Sequence, residues 1–211
     1  MSDPSLAERL EATLLHTADA AVDPTPSASD RILNAATRRF ADVGVDRTTM
    51  SSIAAEAGLS REWLYRHFPN RDAIVAAVLQ RELRRFIDGL AVRASDRNDV
   101  VDALTDAFVY SVEFLRDQRI LAGIVDRDLR LGESALRAHA GALVGVAART
   151  CAGYLVDRGG FDAQTATVIA ETLTRLAGST VVAPRAELDL HDPDILRGFA
   201  ERVVPAVVRG C

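Results

Sequence analysis

Residues 53–71, IAAEAGLSREWLYRHFPNR, decide the fold of this chain. They contain two apolar-periodic segments that are each too short to be stable helices alone. The first ends at Gly58, a residue type that readily adopts the left-handed conformation found at helix C-termini. The second begins after Ser60, a preferred N-cap type, and ends before Pro69. The sequence therefore predicts two short helices joined by a tight turn.

This pair of helices has the spacing of a helix-turn-helix unit. In such a unit the first helix crosses the DNA backbone, and the second lies in the major groove with its N-terminal residues at the base edges. Ala54 and Ala57 are small enough to let the two helices cross closely. Leu64 and Phe68 recur four residues apart and are expected to anchor the second helix to the core. The pattern indicates a DNA-binding unit.

A longer stretch, RILNAATRRFADVGVDRTTMSSIAAEAGLSREWLYRHFPNRDAIVAAV at residues 31–78, resembles the N-terminal DNA-binding domain of the tetracycline-repressor (TetR/AcrR-type) family. The pattern L-Y-x-H-F-x-x-[KR] at residues 64–71 is the most diagnostic part, and it follows I-A-x-x-A-G-h-S at residues 53–60 with the family's spacing. The resemblance implies an all-α fold, in which a three-helix helix-turn-helix domain precedes a helical bundle for ligand binding and dimerisation. It also implies a transcriptional regulator, most simply a repressor that a small molecule releases from a palindromic operator.

Four side chains are expected to contact the DNA backbone by position and by this resemblance. Thr49 can offer its hydroxyl and a helix N-terminus to a phosphate, a role compatible with simple N-capping. Tyr65 points away from the apolar face and can donate its hydroxyl, as the family tyrosine does. His67 resembles the family's phosphate-contacting histidine, or it is a partly buried histidine bonded to backbone. Arg71 stands where the family usually has lysine and is expected to grip the backbone.

Base recognition is expected at the start of the second helix, from Arg61, Glu62, Trp63 and Arg66. Ser60, just before them, is a further candidate for a DNA contact. Arg61 can read guanine and Glu62 can accept from cytosine, each worth about 1–3 kcal/mol of discrimination. Glu62 and Trp63 depart from the family pattern, which often has glycine and a small polar residue there. Glu62 can instead repel phosphate or pair with Arg66, and Trp63 can pack on a thymine methyl or on the scaffold. No relative's operator sequence can therefore be transferred to this chain.

The charge of the chain is unevenly distributed. The 211 residues include 25 basic residues, all arginine, and 30 acidic residues, for a net charge of −5. Apolar residues make up 48% and charged residues 26%, which excludes disordered, collagen-like and disulfide-scaffold proteins. The acidic total argues against a general nucleic-acid coat. Residues 29–75 nevertheless carry +1, whereas residues 1–28 carry −4 and the remainder −2, so a local DNA surface on an acidic body is expected.

Residues 1–28 are predicted to form an acidic arm and linker, either as a loosely packed short helix or without fixed structure. They show no basic-then-apolar signal, and the longest stretch without a formal charge, residues 138–148, is too short to cross a bilayer. The chain has two cysteines, Cys151 and Cys211, so neither a disulfide framework nor a clustered metal motif is expected. These features favour a cytoplasmic protein.

The chain is predicted to be helical from residue 29 onward, because no convincing period-2 strand or internal repeat occurs. A helix from an N-cap at Ser29 to Gly44 completes the DNA-binding domain, residues 29–75. Residues 76–211 are predicted to form the ligand-binding and dimerisation domain. Its helices are expected at about residues 71–92, 99–118, 120–129, 134–158 and 162–183, and from Asp192 onward.

Six side chains of the second domain are candidates for lining a small-molecule pocket: Phe86, Phe108, Tyr110, Phe114, Cys151 and Tyr154. The small residues between them leave room for a cavity that aromatic rings can line. The alternative is a tightly packed core without a cavity. Because the inner faces carry few charges, an apolar or aromatic ligand is expected. The resemblance implies that this ligand would move the helix of residues 71–92 and release DNA by changing the spacing of two recognition helices.

A homodimer through the last two helices is expected. Because each DNA-binding domain is only weakly basic, binding to one half-site would be insufficient, and two linked domains are needed. Two recognition helices would then lie about one DNA turn apart on a palindrome. A stripe of small and medium apolar residues allows close helix approach: Ala166, Ala170, Leu173, Ala177 and Val181. The resemblance implies that these helices pair with their symmetry mates in a four-helix bundle. The alternative is that the stripe belongs to the core of one chain.

An enzymatic function is not expected. The four histidines have no metal-ligand spacing, and neither a phosphate-cradling glycine loop nor a nucleophile elbow occurs. Cys151 and His139 would lie about 18 Å apart along a continuous helix, which excludes a dyad. No metal or cofactor is expected. Two rival functions stay open: a helical ligand-binding dimer without DNA-binding activity, and a transcriptional activator of the same fold.

Overall fold

The computed structural model describes residues 27–95, 99–117, 133–182 and 187–211. Within these ranges the regular structure is entirely α-helical, which confirms the expected fold class. The helices are α1 (Ala28–Arg47), α2 (Met50–Ala57), α3 (Arg61–His67), α4 (Arg71–Ser95), α5 (Val100–Asp117), α6 (Glu133–Gly159), α7 (Ala163–Val182) and α8 (Pro193–Gly210). Most of the predicted acidic arm and the helix predicted at residues 120–129 lie outside the described residues.

The first helix begins at a different cap from the one that the sequence predicted. The N-cap is Ser27, and its hydroxyl accepts a hydrogen bond from the backbone N–H of Asp30. The Asp30 carboxylate in turn accepts the Ser27 N–H at 3.0 Å. This reciprocal arrangement satisfies amide groups that are unpaired at a helix start, whereas Ser29 has isoleucine three residues on. The helical geometry is interrupted at Gly44, where φ is 81°.

The turn between α2 and α3 has the predicted geometry. Gly58 adopts the left-handed conformation, with φ 65° and ψ 38°. The Leu59 N–H donates back to the Ala54 carbonyl at 2.9 Å, which closes the end of α2. Ser60 then caps α3, and its hydroxyl accepts the Trp63 N–H at 3.1 Å. The whole connection is therefore fixed by bonds within five residues.

The described chain divides into two compact units, of which the first holds residues 27–84. The core of this unit is a cluster of apolar side chains from α1, α2, α3 and the first half of α4. Ile32, Ile53, Leu64 and Ile74 are fully buried in it. Leu64 is the buried residue of α3. Its packing therefore decides which face of α3 is turned away from the core.

Arg81 fastens the first half of α4 to α1. Arg81 Nη1 donates to Asn34 Oδ1 at 2.8 Å, and Arg81 Nη2 donates to Thr37 Oγ1 at 2.8 Å and to the Leu33 carbonyl at 3.3 Å. Its Nε lies 3.5 Å from an oxygen of the buried Glu82 carboxylate. A planar guanidinium can serve several acceptors at once. Arg81 thus fixes the start of α4 against the helix-turn-helix unit.

The second unit holds the described residues from 85 onward, apart from the start of α6. Helix α5 packs against α7 and α8, and α7 packs against α8. Leu155, Ile169 and Leu196 are fully buried in the shared core. Arg197 Nη1 donates to Asp106 Oδ1 at 2.6 Å and ties α8 to α5. This unit is therefore a helical bundle centred on α5, α7 and α8.

Aspartates cap α7 and α8. Asp162 Oδ1 accepts the N–H groups of Gln164 and Thr165, each at 3.0 Å, and Asp192 caps α8 in the same way. Hydrogen bonds from the side chain and backbone of Thr165 hold the pKa of Asp162 below its usual 3.8. Because the bonds favour the charged form, this cap stabilises the fold above about pH 4 and loses its effect as pH falls further.

The proposed dimerisation stripe on α7 lies in the core of a single chain. Ala166 and Ala170 are fully buried, and Leu173 and Ala177 are nearly so, all within the cluster that α5 and α8 share. The side chain of Val181 lies outside the described residues. The interpretation of this stripe as a dimer contact was therefore wrong for the described positions. A stripe of small residues favours close packing against any helix, including one of the same chain.

Replacing Gly58 by alanine should destabilise the first unit by about 1–2 kcal/mol. A Cβ at Gly58 would meet nothing within 4 Å, so the cost comes from the left-handed backbone alone. Asparagine should cost less, because it tolerates this conformation. Urea unfolding followed by circular dichroism measures both. Gly153→Ala is the matched control, since its Cβ also meets nothing within 4 Å but its φ is negative. Equal losses of stability in Gly58→Ala and Gly153→Ala would contradict a left-handed backbone at Gly58.

Arg81→Met should lower the free energy of unfolding by about 2 kcal/mol, because it removes the hydrogen bonds of a charged donor and leaves their acceptors behind. Arg81→Lys should recover only part of this loss, since an ammonium group lacks the fork that spans these acceptors. The control is Arg84→Met, an exposed position on the same helix. If Arg81→Met lost no more stability than the control, the hydrogen bonds of Arg81 would not be what holds α4 on α1.

Candidate nucleic-acid interface

The outward face of α3 carries four exposed polar side chains: Arg61, Glu62, Tyr65 and Arg66. Tyr65 is 51% exposed although its neighbour Leu64 is fully buried. In the part of the chain that the structure describes, none of the four makes a hydrogen bond or ion pair through its side chain. The alternative pairing of Glu62 with Arg66 is therefore not formed. The face presents two cationic groups, one carboxylate and one phenol to an outside partner.

Trp63 and His67 contact each other within α3. Trp63 is partly buried and packs against the cluster of the first unit. Its ring stacks on the imidazole of His67, with centroids 3.8 Å apart and planes 17° from parallel. His67 Nδ1 lies 3.0 Å from the Trp63 carbonyl oxygen. His67 is exposed on its other side. Trp63 thus has the scaffold packing that the sequence left open. His67 has the backbone contact of its alternative, but it is exposed rather than partly buried.

Thr49 and Arg71 lie at one open depression of about 390 Å³. The depression is lined by Asp46, Thr48, Thr49, Met50, Asn70, Arg71 and Asp72. Thr49 Oγ1 accepts the Ser52 N–H at 3.1 Å as the cap of α2, and its own hydroxyl proton has no acceptor among the described residues. Thr49 can therefore cap α2 and still donate to an anion.

Arg71 has an internal role that the sequence did not indicate. Its Nη1 donates to the carbonyl oxygens of Val45 and Asp46, at 3.2 and 3.1 Å. These carbonyls belong to the last turn of α1, where few backbone N–H groups remain to pair with them, although the Val45 carbonyl also accepts the Thr48 N–H at 3.3 Å. A guanidinium has more N–H groups than these two bonds use. Arg71 thus joins the start of α4 to the end of α1 while donors remain for another partner.

Three of the six predicted pocket residues lie together. The ring of Phe86 lies 5.8 Å from that of Tyr110 and 5.1 Å from that of Phe114, and Tyr110 and Phe114 are 5.6 Å apart. The Arg93 guanidinium lies 3.8 Å from the centre of the Tyr110 ring. Gly89 makes the approach possible, because a Cβ there would lie 2.1 Å from Tyr110 Oη. Burial raises the pKa of Tyr110, so the phenol stays neutral.

The other three predicted pocket residues lie elsewhere in the second unit. Phe108 pairs with Phe199 at 6.1 Å, and Cys151 packs against the same core cluster. Burial raises the pKa of the Cys151 thiol to about 11, so it is protonated and unreactive at neutral pH. Tyr154 is half-buried on α6. The positions of Phe108 and Cys151 favour the packed-core alternative for these two residues.

Sequence reasoning missed Arg81, Gly89 and Arg93. A glycine inside a long helical pattern is a recognised indication of close packing, so Gly89 could have been identified. Arg81 and Arg93 could not have been identified, because the local sequence pattern does not indicate which residues they contact. Among the described residues, no group of three or more histidine, cysteine or acidic side chains could hold a metal ion. No helix in the described ranges is long and apolar enough to cross a membrane.

Known proteins similar to this chain are helix-turn-helix regulators. Residues 32–78 match the family described as bacterial regulatory proteins, tetR family. An uncharacterised HTH-type transcriptional regulator of Mycobacterium tuberculosis is 31% identical over 185 residues, which cover 87% of each chain. The solved TetR family repressor AlkX from Dietzia, implicated in biodegradation of n-alkanes, is 22% identical with a TM-score of 0.61, over 90% of this chain and 98% of that one.

A second solved structure has the same fold. FadR from Bacillus subtilis, in complex with stearoyl-CoA, is 18% identical with a TM-score of 0.60, over 86% of this chain and 98% of that one. At these identities the two solved structures support the fold, while the mycobacterial relative supports the family. The chain therefore belongs to the TetR family of bacterial transcriptional regulators, and it is a DNA-binding regulator with a helix-turn-helix domain rather than an enzyme.

Proposed function

We propose that this regulator is a ligand-responsive repressor that binds a palindromic operator as a homodimer and is released by a small apolar molecule. The outward face of α3 is the observation that best supports operator binding. Arg61, Tyr65 and Arg66 are exposed there, and their side chains have no partner among the described residues. Thr49 and Arg71 add donors at the depression beside α2 and α4.

The polar groups of this surface divide into two roles. Arg61, Glu62 and Arg66 are proposed to contact base edges, since they lie in the first turns of the helix that enters the major groove. Trp63 contributes to the same surface through the stack on His67. Phosphate contacts are proposed for the remaining side chains: Thr49, Ser60, Tyr65, His67 and Arg71. The hydroxyls of Thr49 and Ser60 accept bonds as helix caps and keep a proton to donate.

The dimer is proposed to form through the exposed faces of α7 and α8. The core-facing side of α7 is already occupied within one chain, so the contact must use another side. Val168 on α7 and Ile195 on α8 are 48% and 40% exposed, which is high for large apolar residues. Pairing these helices with their symmetry mates would bury such residues. It would also link two half-sites that are each only weakly attractive.

The effector is proposed to bind beside the aromatic cluster of Phe86, Tyr110 and Phe114. These rings are contributed by α4 and α5, and α4 also carries the Arg71 and Arg81 contacts to α1. A ligand that prefers one position of α4 would therefore shift the equilibrium of the DNA-binding unit. AlkX is implicated in the biodegradation of n-alkanes, and the FadR structure is a complex with stearoyl-CoA. Together with the apolar rings, they support a ligand with a long aliphatic chain.

Selection of random duplexes by the purified protein at physiological salt should enrich a palindrome with half-sites about one helical turn apart. Arg61→Ala should then relax the preference at one base position and cost about 1–3 kcal/mol there. Arg71→Ala should weaken all sites about equally, because phosphate carries no sequence information. Arg158→Ala, an exposed change in the second unit, is the control. Failure to enrich any motif, or exchanged effects of Arg61 and Arg71, would contradict the assignment.

Stearoyl-CoA at about 100 times its Kd should raise the melting temperature by several degrees and release the selected operator, whereas free CoA should do neither. Phe114→Leu should reduce both responses, because it removes one ring of the cluster at nearly constant volume. Phe199→Leu is the matched control, since Phe199 pairs with Phe108 in the other cluster. Equal loss of response in the two variants would place the effector away from the aromatic cluster.

A further inference from the structure

The Trp63–His67 pair has a geometry that determines the chemistry of the imidazole. The two residues are four apart on α3, and their rings are nearly parallel at a centroid distance of 3.8 Å. One face of the imidazole is therefore covered by the indole. The same tryptophan supplies the carbonyl oxygen that lies 3.0 Å from His67 Nδ1. Trp63 thus holds the imidazole through both its ring and its backbone.

The carbonyl determines which nitrogen carries the proton. A carbonyl oxygen can only accept a hydrogen bond, so Nδ1 must be the donor. In the neutral ring the other nitrogen, Nε2, then has a lone pair and no proton. A phosphate oxygen is also an acceptor, and it cannot bond to that lone pair. Only the doubly protonated imidazolium can hold Nδ1 on the carbonyl and donate from Nε2 to a phosphate.

The stack gives the imidazolium of the DNA complex an aromatic face to lie against. A cation against the face of an indole is attracted by the ring quadrupole, and tryptophan is the strongest aromatic partner. A smaller polar residue in the place of Trp63 would provide no such face. The indole is itself held by the core cluster of the first unit, so the platform is fixed before DNA arrives. Trp63 therefore acts on phosphate recognition through His67.

Charged side chains also lie on α2, on α3 itself and in the first turn of α4. Glu56 of α2 is paired with Arg38 at 2.9 Å, and Arg71 of α4 is bonded to the α1 carbonyls. On α3 itself the other charged side chains are Arg61, Glu62 and Arg66. Asp72 at the start of α4 lies 3.9 Å from Arg71 Nε. None of these side chains has a direct bond to the imidazole among the described residues.

We propose that Trp63 is a positioning residue that holds His67 as a proton-dependent phosphate contact, so that operator binding takes up one proton at each recognition helix. The proposal rests on the repressor function proposed above, because it needs an operator. It assigns Trp63 a role distinct from base reading. It also makes the affinity of this regulator for DNA depend on pH in the range where histidine side chains titrate.

The test measures the Kd for the selected operator by fluorescence anisotropy between pH 5.5 and 8.5 at constant salt. The wild type should bind more tightly as pH falls, by up to about tenfold per pH unit for each half-site, since the slope equals the number of protons taken up. His67→Asn should bind more weakly at pH 6 and should lose this slope. An unchanged pH profile in His67→Asn would overturn the proposal, because the protons would then bind elsewhere.

The role of Trp63 is tested by two smaller apolar replacements, of which one keeps an aromatic face and the other does not. Trp63→Phe should retain most of the pH dependence, because it keeps an aromatic face. Trp63→Leu should weaken binding at pH 6 by about two- to fivefold per half-site and should flatten the profile. In a His67→Asn background the two replacements should behave alike. If Trp63→Leu and Trp63→Phe had the same profile in the wild-type background, the positioning role would be wrong.

A measurement on the free protein tests the ring geometry without DNA. Long-range proton–nitrogen correlation spectra, with His67→Asn for assignment, should show the neutral His67 ring protonated at Nδ1. Protonation at Nε2 would overturn the proposal. Absence of operator binding at every pH would defeat the repressor function and this inference together. Operator binding with the same pH profile in wild type and His67→Asn would defeat only the inference.

Discussion

The burial of Leu64 is the interaction on which the DNA-binding surface depends. Helix α3 has seven residues and is too short to be stable alone, so its orientation comes from packing. With Leu64 fully buried, helical periodicity turns Tyr65 and Arg66 outward, while Arg61 is exposed in the first turn of α3. The left-handed turn at Gly58 and the Ser60 cap fix the angle at which α3 leaves α2. The exposed cations are thus a consequence of one apolar contact and one turn.

Local interactions made much of the first unit predictable from the sequence. The caps at Thr49 and Ser60 and the turn at Gly58 involve bonds across three to five residues, which a pattern can reveal. The cap of α1 was misplaced by two residues, because the reciprocal bond between Ser27 and Asp30 was overlooked. The contacts of Arg81 with α1 join residues 44 to 48 positions apart. Such contacts depend on how whole helices pack, and no local pattern contains them.

The second unit was predictable in its helices but not in their partners. An apolar stripe shows which side of a helix is covered, and it does not show whether the covering helix belongs to the same chain. Ala166 and Ala170 were therefore assigned to a dimer although they pack within one chain. The aromatic residues of α5 illustrate the same limit, since Tyr110 and Phe114 meet Phe86 whereas Phe108 meets Phe199. Which ring meets which follows from helix rotation, and that is a tertiary property.

The central claim is that the outward face of α3, with Thr49 and Arg71 beside it, is the surface that touches DNA. Amide hydrogen exchange of the protein with and without its selected operator tests this claim most directly. We expect DNA to slow exchange in residues 60–71 and around Thr49, because a seven-residue helix opens readily when free. Protection confined to the second unit, with α3 exchanging at the same rate in both samples, would contradict it.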